Sequence, residues 1–152
     1  MNRHVQLWEA LTMKIRELLP VFTVRRTYDP LAELSEIQTG TPLGFLTLTA
    51  KSRERLDSRR IFDVYEFELW LVRDLPADDP QSAMDEYLEY LDRVGDVFSL
   101  KVLKLEMDGE PVKVFFPEES ETLGNEAFED SEYAQGRFSA RIGFTAKTER
   151  IA

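Results

Sequence analysis

Cysteine is absent from the 152 residues, and histidine occurs once. The first absence excludes a disulfide framework, a thiolate metal site and a cysteine nucleophile, and it fits a reducing compartment. The single histidine, His4, falls in the first turn of a terminal helical pattern, the ordinary place of a flanking polar residue. The chain also lacks a G-x-S-x-G elbow, a P-loop, a G-x-G-x-x-G turn and an H-E-x-x-H pair, the compact motifs that position nucleophiles, phosphates or zinc. The expectation is a protein that is not an enzyme and holds no cofactor and no metal. The longest apolar stretches, Gly44 to Leu48 and Leu69 to Val72, are far shorter than the roughly 20 residues a membrane helix needs. The opening MNRHVQLWEALTMKIRELL spreads charge through its length and has no small-residue cleavage site, so a secretory leader is not expected and the cytoplasm is.

What is present is 43% apolar residues, with ten Phe, five Tyr and two Trp, and no repeat or low-complexity tract. A chain of this size forms one domain, residues 1–152, burying roughly two-thirds of its unfolded surface. Val5, Trp8, Leu11, Ile15 and Leu18 recur at helical spacing before Pro20, which predicts an amphipathic helix over 3–19. VFTVRRTYDP reads as a strand ending in an Asp-Pro turn, and 31–42 as a polar connection. Asp79-Pro80 signals a second helix start, followed by Met84, Tyr87, Leu88, Leu91, Val94 and Phe98 on one face.

Period-two patterning fills most of the rest. Residues 43–73 form two strands of a long hairpin arm with KSRERLDSRR between them. A turn at Asp57 and Ser58 pairs Leu46 with Leu69, Leu48 with Phe67 and Ala50 with Tyr65. That register places Lys51, Arg53 and Arg55 on the other face with Glu66 and Glu68, and sets Arg55 against Arg60 at the tip. Asp108-Gly109 predicts a second hairpin turn, and RFSARIGFTAK a half-buried strand with Phe138, Ala140, Ile142, Phe144 and Ala146 inward. Residues 117–132, PEESETLGNEAFEDSE, carry seven acids and no base and read as a surface loop. The fold class is α+β: a mainly antiparallel sheet with two amphipathic helices packed on one face.

Carboxylates are the remaining source of chemistry. Asp85, Glu89 and Asp92 share a face of the second helix, as solvated residues do, and Glu66 and Glu68 have Lys51, Arg53, Arg137 and Arg141 as surface partners. The acidic loop lacks the spacing of a calcium loop. KSRERLDSRR has net charge +3 but no aromatic residue, in a chain whose formal charge is −10, so the remainder repels phosphate. A basic arm and an acidic loop on one chain are instead complementary patches, the arrangement of a head-to-tail contact that closes into a ring. The candidate interface residues are Lys51, Arg53, Arg55, Arg59 and Arg60 on the arm, and Glu118, Glu119, Glu121, Glu126, Glu129 and Asp130 on the loop. Two independent solvated loops account for the same charges.

The order of elements, a terminal helix ending LLP, the strand VFTVRRTYDP, the long hairpin LGFLTLTAKSRERLDSRRIFDVYEFELWLVRD, the helix AMDEYLEYLDRVGDVF and the closing RFSARIGFTAK, resembles the tail-terminator and tail-completion (head–tail joining) proteins of long-tailed bacteriophages. The resemblance implies a structural virion or prophage protein. It would form a homo-oligomeric ring, usually a hexamer, that caps the tail tube and joins it to the head connector protein. DNA would pass through the channel without specific binding, and no membrane would be involved. Assembly would take place in the cytoplasm of a bacterial host, and the protein would end in the virion tail. The hairpin at 103–116 and the acidic loop after it depart from the family's pattern. The alternative is a monomeric acidic binding module of inhibitor or immunity type, presenting its negative surface to a basic partner.

Overall fold

In the computed structural model the described residues are 2–30, 42–74, 80–124 and 137–151. Nearly all of the polar connection at 31–42 lies outside them, as do Asp79, Glu126, Glu129 and Asp130. Helix α1 runs Arg3–Leu18, with the Asn2 side chain accepting from the Val5 N–H as an N-cap. Its inward residues are Leu7, Trp8, Leu11, Thr12 and Ile15, so the buried stripe is centred where the spacing predicts it. The fully buried Trp8 indole donates to the Leu46 carbonyl at 2.8 Å, which satisfies its only donor and fixes α1 on the sheet.

The strands are β1 (Thr23–Arg26), β2 (Leu43–Arg55), β3 (Arg60–Asp74), β4 (Lys101–Met107), β5 (Glu110–Phe116), β6 (Glu121–Gly124) and β7 (Arg137–Ile151). They make one sheet of order β1-β2-β3-β7-β5-β4, with β6 also paired to β7. Among the described strands only β1 with β2 is parallel, so the fold is the expected α+β with a mainly antiparallel sheet. Asp108 and Gly109 both have positive φ, 55° and 78°, the primed turn that suits the twist of β4 and β5. Part of the expected acidic loop is a strand: β6 pairs Glu121 with Gly143 and Thr122 with Ile142. Low apolar content hid it, because an edge segment needs only backbone hydrogen bonds to join a sheet.

Helix α2, Pro80–Val97, begins at the predicted proline. Tyr87, Leu91, Val94 and Phe98 are buried as expected, but Leu88 is 40% exposed. Successive helical residues turn by about 100°, so Leu88 lies at the edge of the face centred on Tyr87, Leu91, Val94 and Phe98 rather than within it. Both helices cover the same sheet face: Leu7, Leu11 and Ile15 of α1 join Leu91 and Val94 of α2 in one core with Phe67, Leu69, Ile142 and Phe144. Phe98 stacks on Phe144 at 4.7 Å between centroids, and Phe144 on Phe67 at 5.7 Å. Among the described residues, no helix is long and apolar enough to cross a membrane.

Candidate assembly surface

The exposed part of the arm begins at Thr49 of β2. Leu46 pairs with Leu69 and Leu48 with Phe67, as the alternation predicts, but a bulge then intervenes and Ala50 pairs with Glu66. One extra residue at Thr49 turns every later side chain of β2 to the opposite face. Two expectations are corrected by it. Lys51, Arg53 and Arg55 share the face of Tyr65, Asp63 and Ile61, not that of Glu66 and Glu68, and Arg55 pairs with Ile61 rather than Arg60. The ion pairs expected from Lys51 and Arg53 to Glu66 and Glu68 are therefore not made: Lys51 lies over the Tyr65 ring and Arg53 reaches Asp63.

The tip is stabilised from within. Asp57 accepts from the Arg59 and Arg60 N–H groups and from Arg60 Nε, each at 2.8 Å. The Arg59 backbone bond is the largest cause, followed by the Arg60 guanidinium, of a carboxyl lowered to about 2. Arg60 also lies 4.0 Å from Glu149. The expected repulsion at the tip is absent because Asp57 and Glu149, both of this chain, meet the cation.

A third strand makes the arm stiff. β7 pairs with β3 without interruption from Asp74↔Arg137 to Arg60↔Ile151. Asp63, 4% exposed, pairs with Arg150 on one side and Arg53 on the other, and Lys147 donates to Glu54 across the opposite face at 2.8 Å. Sequence reasoning missed Asp63, Arg150, Lys147 and Glu54 as arm-bracing groups. The signal for Asp63 was present: in Ile61, Asp63, Tyr65, Phe67 an acid occupies an inward position of an apolar alternation, and a buried carboxylate needs a partner. Among the described residues, Lys51, Arg55 and Arg59 are the arm cations that form no ion pair, and of these Lys51 is engaged over the Tyr65 ring.

On the sheet face opposite the helices, Glu66 and Glu68 of β3 line a groove of about 240 Å³ with Glu118, Glu119 and Glu121. The alternation of β3 puts Glu66 and Glu68 there, and β6 brings Glu121 beside Gly143. Ser120 anchors the intervening turn: its N–H donates to Ser99 Oγ at 2.7 Å, and its hydroxyl sits 2.8 Å from the same oxygen. That approach requires Gly95, where a Cβ would stand 2.6 Å from Ser120 Oγ. Trp70 donates to Glu68 at 3.3 Å, and among the described residues none of the five carboxylates forms an ion pair. Nor do any three His, Asp or Glu side chains among the described residues form a group that could hold a metal ion. The structure thus gathers Glu118, Glu119 and Glu121 with two glutamates from β3, and does not bring them to the basic tip of the same chain.

No family model and no curated protein matches the chain. Among the solved structures that match, one whose name is a bare sequence designation is similar over 95% of this chain and 92% of its own, with 13% identity and a TM-score of 0.51. That similarity concerns the fold alone.

Proposed function

We infer that the chain is a structural subunit of a bacteriophage or prophage tail-completion ring, which caps the tail tube and joins it to the head connector. The observation that carries this reading is the arm: residues 49–60, the end of β2 and its turn, are exposed throughout, and β3 and β7 hold them in place from the buried Ile61, Asp63 and Thr148. Ordering an exposed strand end and turn offers little to an isolated monomer, whereas a rigid exposed edge is what a subunit presents to its neighbour. A net charge of −10 suits a channel through which DNA moves without adhering, because like charge disfavours phosphate contact. In this role the protein performs no chemical step and DNA is cargo.

The test is native mass spectrometry with electron microscopy of the purified protein at high concentration and low salt. A discrete ring with a central channel is expected, and a strict monomer would overturn the reading. The groove glutamates, which form no ion pair among the described residues, favour a second reading, a monomeric acidic module that binds a basic protein, and that monomer would be its signature.

A further inference from the structure

We propose that the sheet face bearing Glu66, Glu68, Glu118, Glu119 and Glu121 is the docking surface for the arm tip of a second copy, which inserts Arg55 and Arg59 with Leu56 between them. This rests on the reading of the chain as a ring subunit and names the contact that builds the ring. Charge complementarity selects the occupant. The groove holds five carboxylates with no ion pair among the described residues, while the tip holds the two arm arginines in the same condition. Leu56 between them is 44% exposed, an apolar group on an otherwise polar turn.

Contact within one chain is excluded by the bracing of the arm. Arg60 lies six residues from Glu66 on β3, about 20 Å at roughly 3.3 Å per residue. β7 holds that stretch extended through every pair from Glu66↔Thr145 to Arg60↔Ile151, so the tip cannot fold back. Arg55, opposite Ile61, also points to the helix-side face, and the groove opens on the other. Two complementary surfaces that cannot meet within a molecule meet between molecules. Because they are different surfaces, the contact is head-to-tail and each subunit has one tip and one groove to offer. Lys51, Arg53 and Arg60, engaged inside the arm, stay out of this contact.

A charge exchange tests it. The tip variant carries Arg55→Glu with Arg59→Glu, and the groove variant carries Glu118→Lys, Glu119→Lys and Glu121→Lys, which leaves three lysines against Glu66 and Glu68; all five sites are exposed. Each variant alone has tip and groove of like charge and is expected to run as a monomer in light scattering and native mass spectrometry. Mixed in equal amounts they are complementary again, and an alternating assembly of the wild-type size is expected. Wild-type protein, read without any substitution, is expected to lose assembly by at least about tenfold in dissociation constant as salt rises from about 0.05 to 0.5 M, since added salt screens such contacts. A wild-type oligomer that persists in either variant, ignores salt, or is not restored by mixing overturns the tip-to-groove contact and leaves the ring reading standing. A wild-type protein that is strictly monomeric overturns both.

Discussion

Asp63 Oδ2 lies 2.9 Å from Arg150 Nε, and Asp63 Oδ1 lies 3.6 Å from Arg53 Nε on the other side. One buried carboxylate therefore ties β2, β3 and β7 together within the arm. Replacing it with alanine leaves two guanidinium groups without their acid. A fully buried pair broken this way costs about 3 to 5 kcal/mol. With Arg150 33% and Arg53 66% exposed, solvent takes up part of that loss and Asp63→Ala is expected to cost about 2 kcal/mol in urea melts. Arg53→Ala, which leaves the Arg150 bond, is expected to cost under about 1 kcal/mol. Equal losses would show that Asp63 does not hold both strands.

Gly95→Ala places a Cβ 2.6 Å from Ser120 Oγ and 3.0 Å from Ile142 Cδ1. Overpacking of this kind costs about 1 to 3 kcal/mol. The expected outcome is a lower denaturation midpoint together with faster amide exchange at Ser120, whose N–H would lose Ser99 Oγ. A variant of wild-type stability with Ser120 still protected would show that the turn carrying Glu118 and Glu119 adjusts freely.

The arm tip has its own acid sensitivity. Asp57 titrates at about 2 against the ordinary 3.8, chiefly through the Arg59 and Arg60 bonds. Because the folded value is depressed, its contribution is complete above 3.8 and is lost as pH falls towards about 2. NMR titration of the Asp57 carboxyl should give a midpoint near about 2, with the Arg59 and Arg60 amide signals moving together. A midpoint at the ordinary value would mean the turn is not held in solution.

At the alkaline end Tyr65 is the sensitive group. Burial, then the charge of Asp63, raises its phenol above 10.0, with Thr148, Arg3 and Arg150 opposing. The folded state thus favours the neutral ring. Stability is unaffected below 10.0 and falls as pH rises above it, where the unfolded chain ionises first. Urea melts across that range should show the decline, and Tyr65→Phe should flatten it. An unchanged slope in the variant would assign the decline elsewhere.

Much of this fold was legible from local pattern. The α2 face repeats at helical spacing, the β4–β5 turn is dictated by Asp108-Gly109, and β7 alternates over its buried stretch, because each depends on neighbours in sequence. Leu46 opposite Leu69 and Leu48 opposite Phe67 follow from the same counting. The counting fails at Thr49, where a bulge leaves one residue unpaired and reverses the faces beyond it. A bulge has no residue signature that alternation reveals, and Lys51, Arg53 and Arg55 were placed on the wrong face for that reason.

The candidate surface divides in the same way. Residue order alone determined that a basic turn and an acidic segment coexist on one chain, since composition and spacing are one-dimensional properties. Only the tertiary structure decided that Arg60 is met by Asp57 and Glu149, that Asp63 joins Arg53 to Arg150, and that Glu118, Glu119 and Glu121 gather with Glu66 and Glu68. Electrostatic partners are chosen by distance in space, and distance across a sheet is set by strand order and register, which no single strand contains.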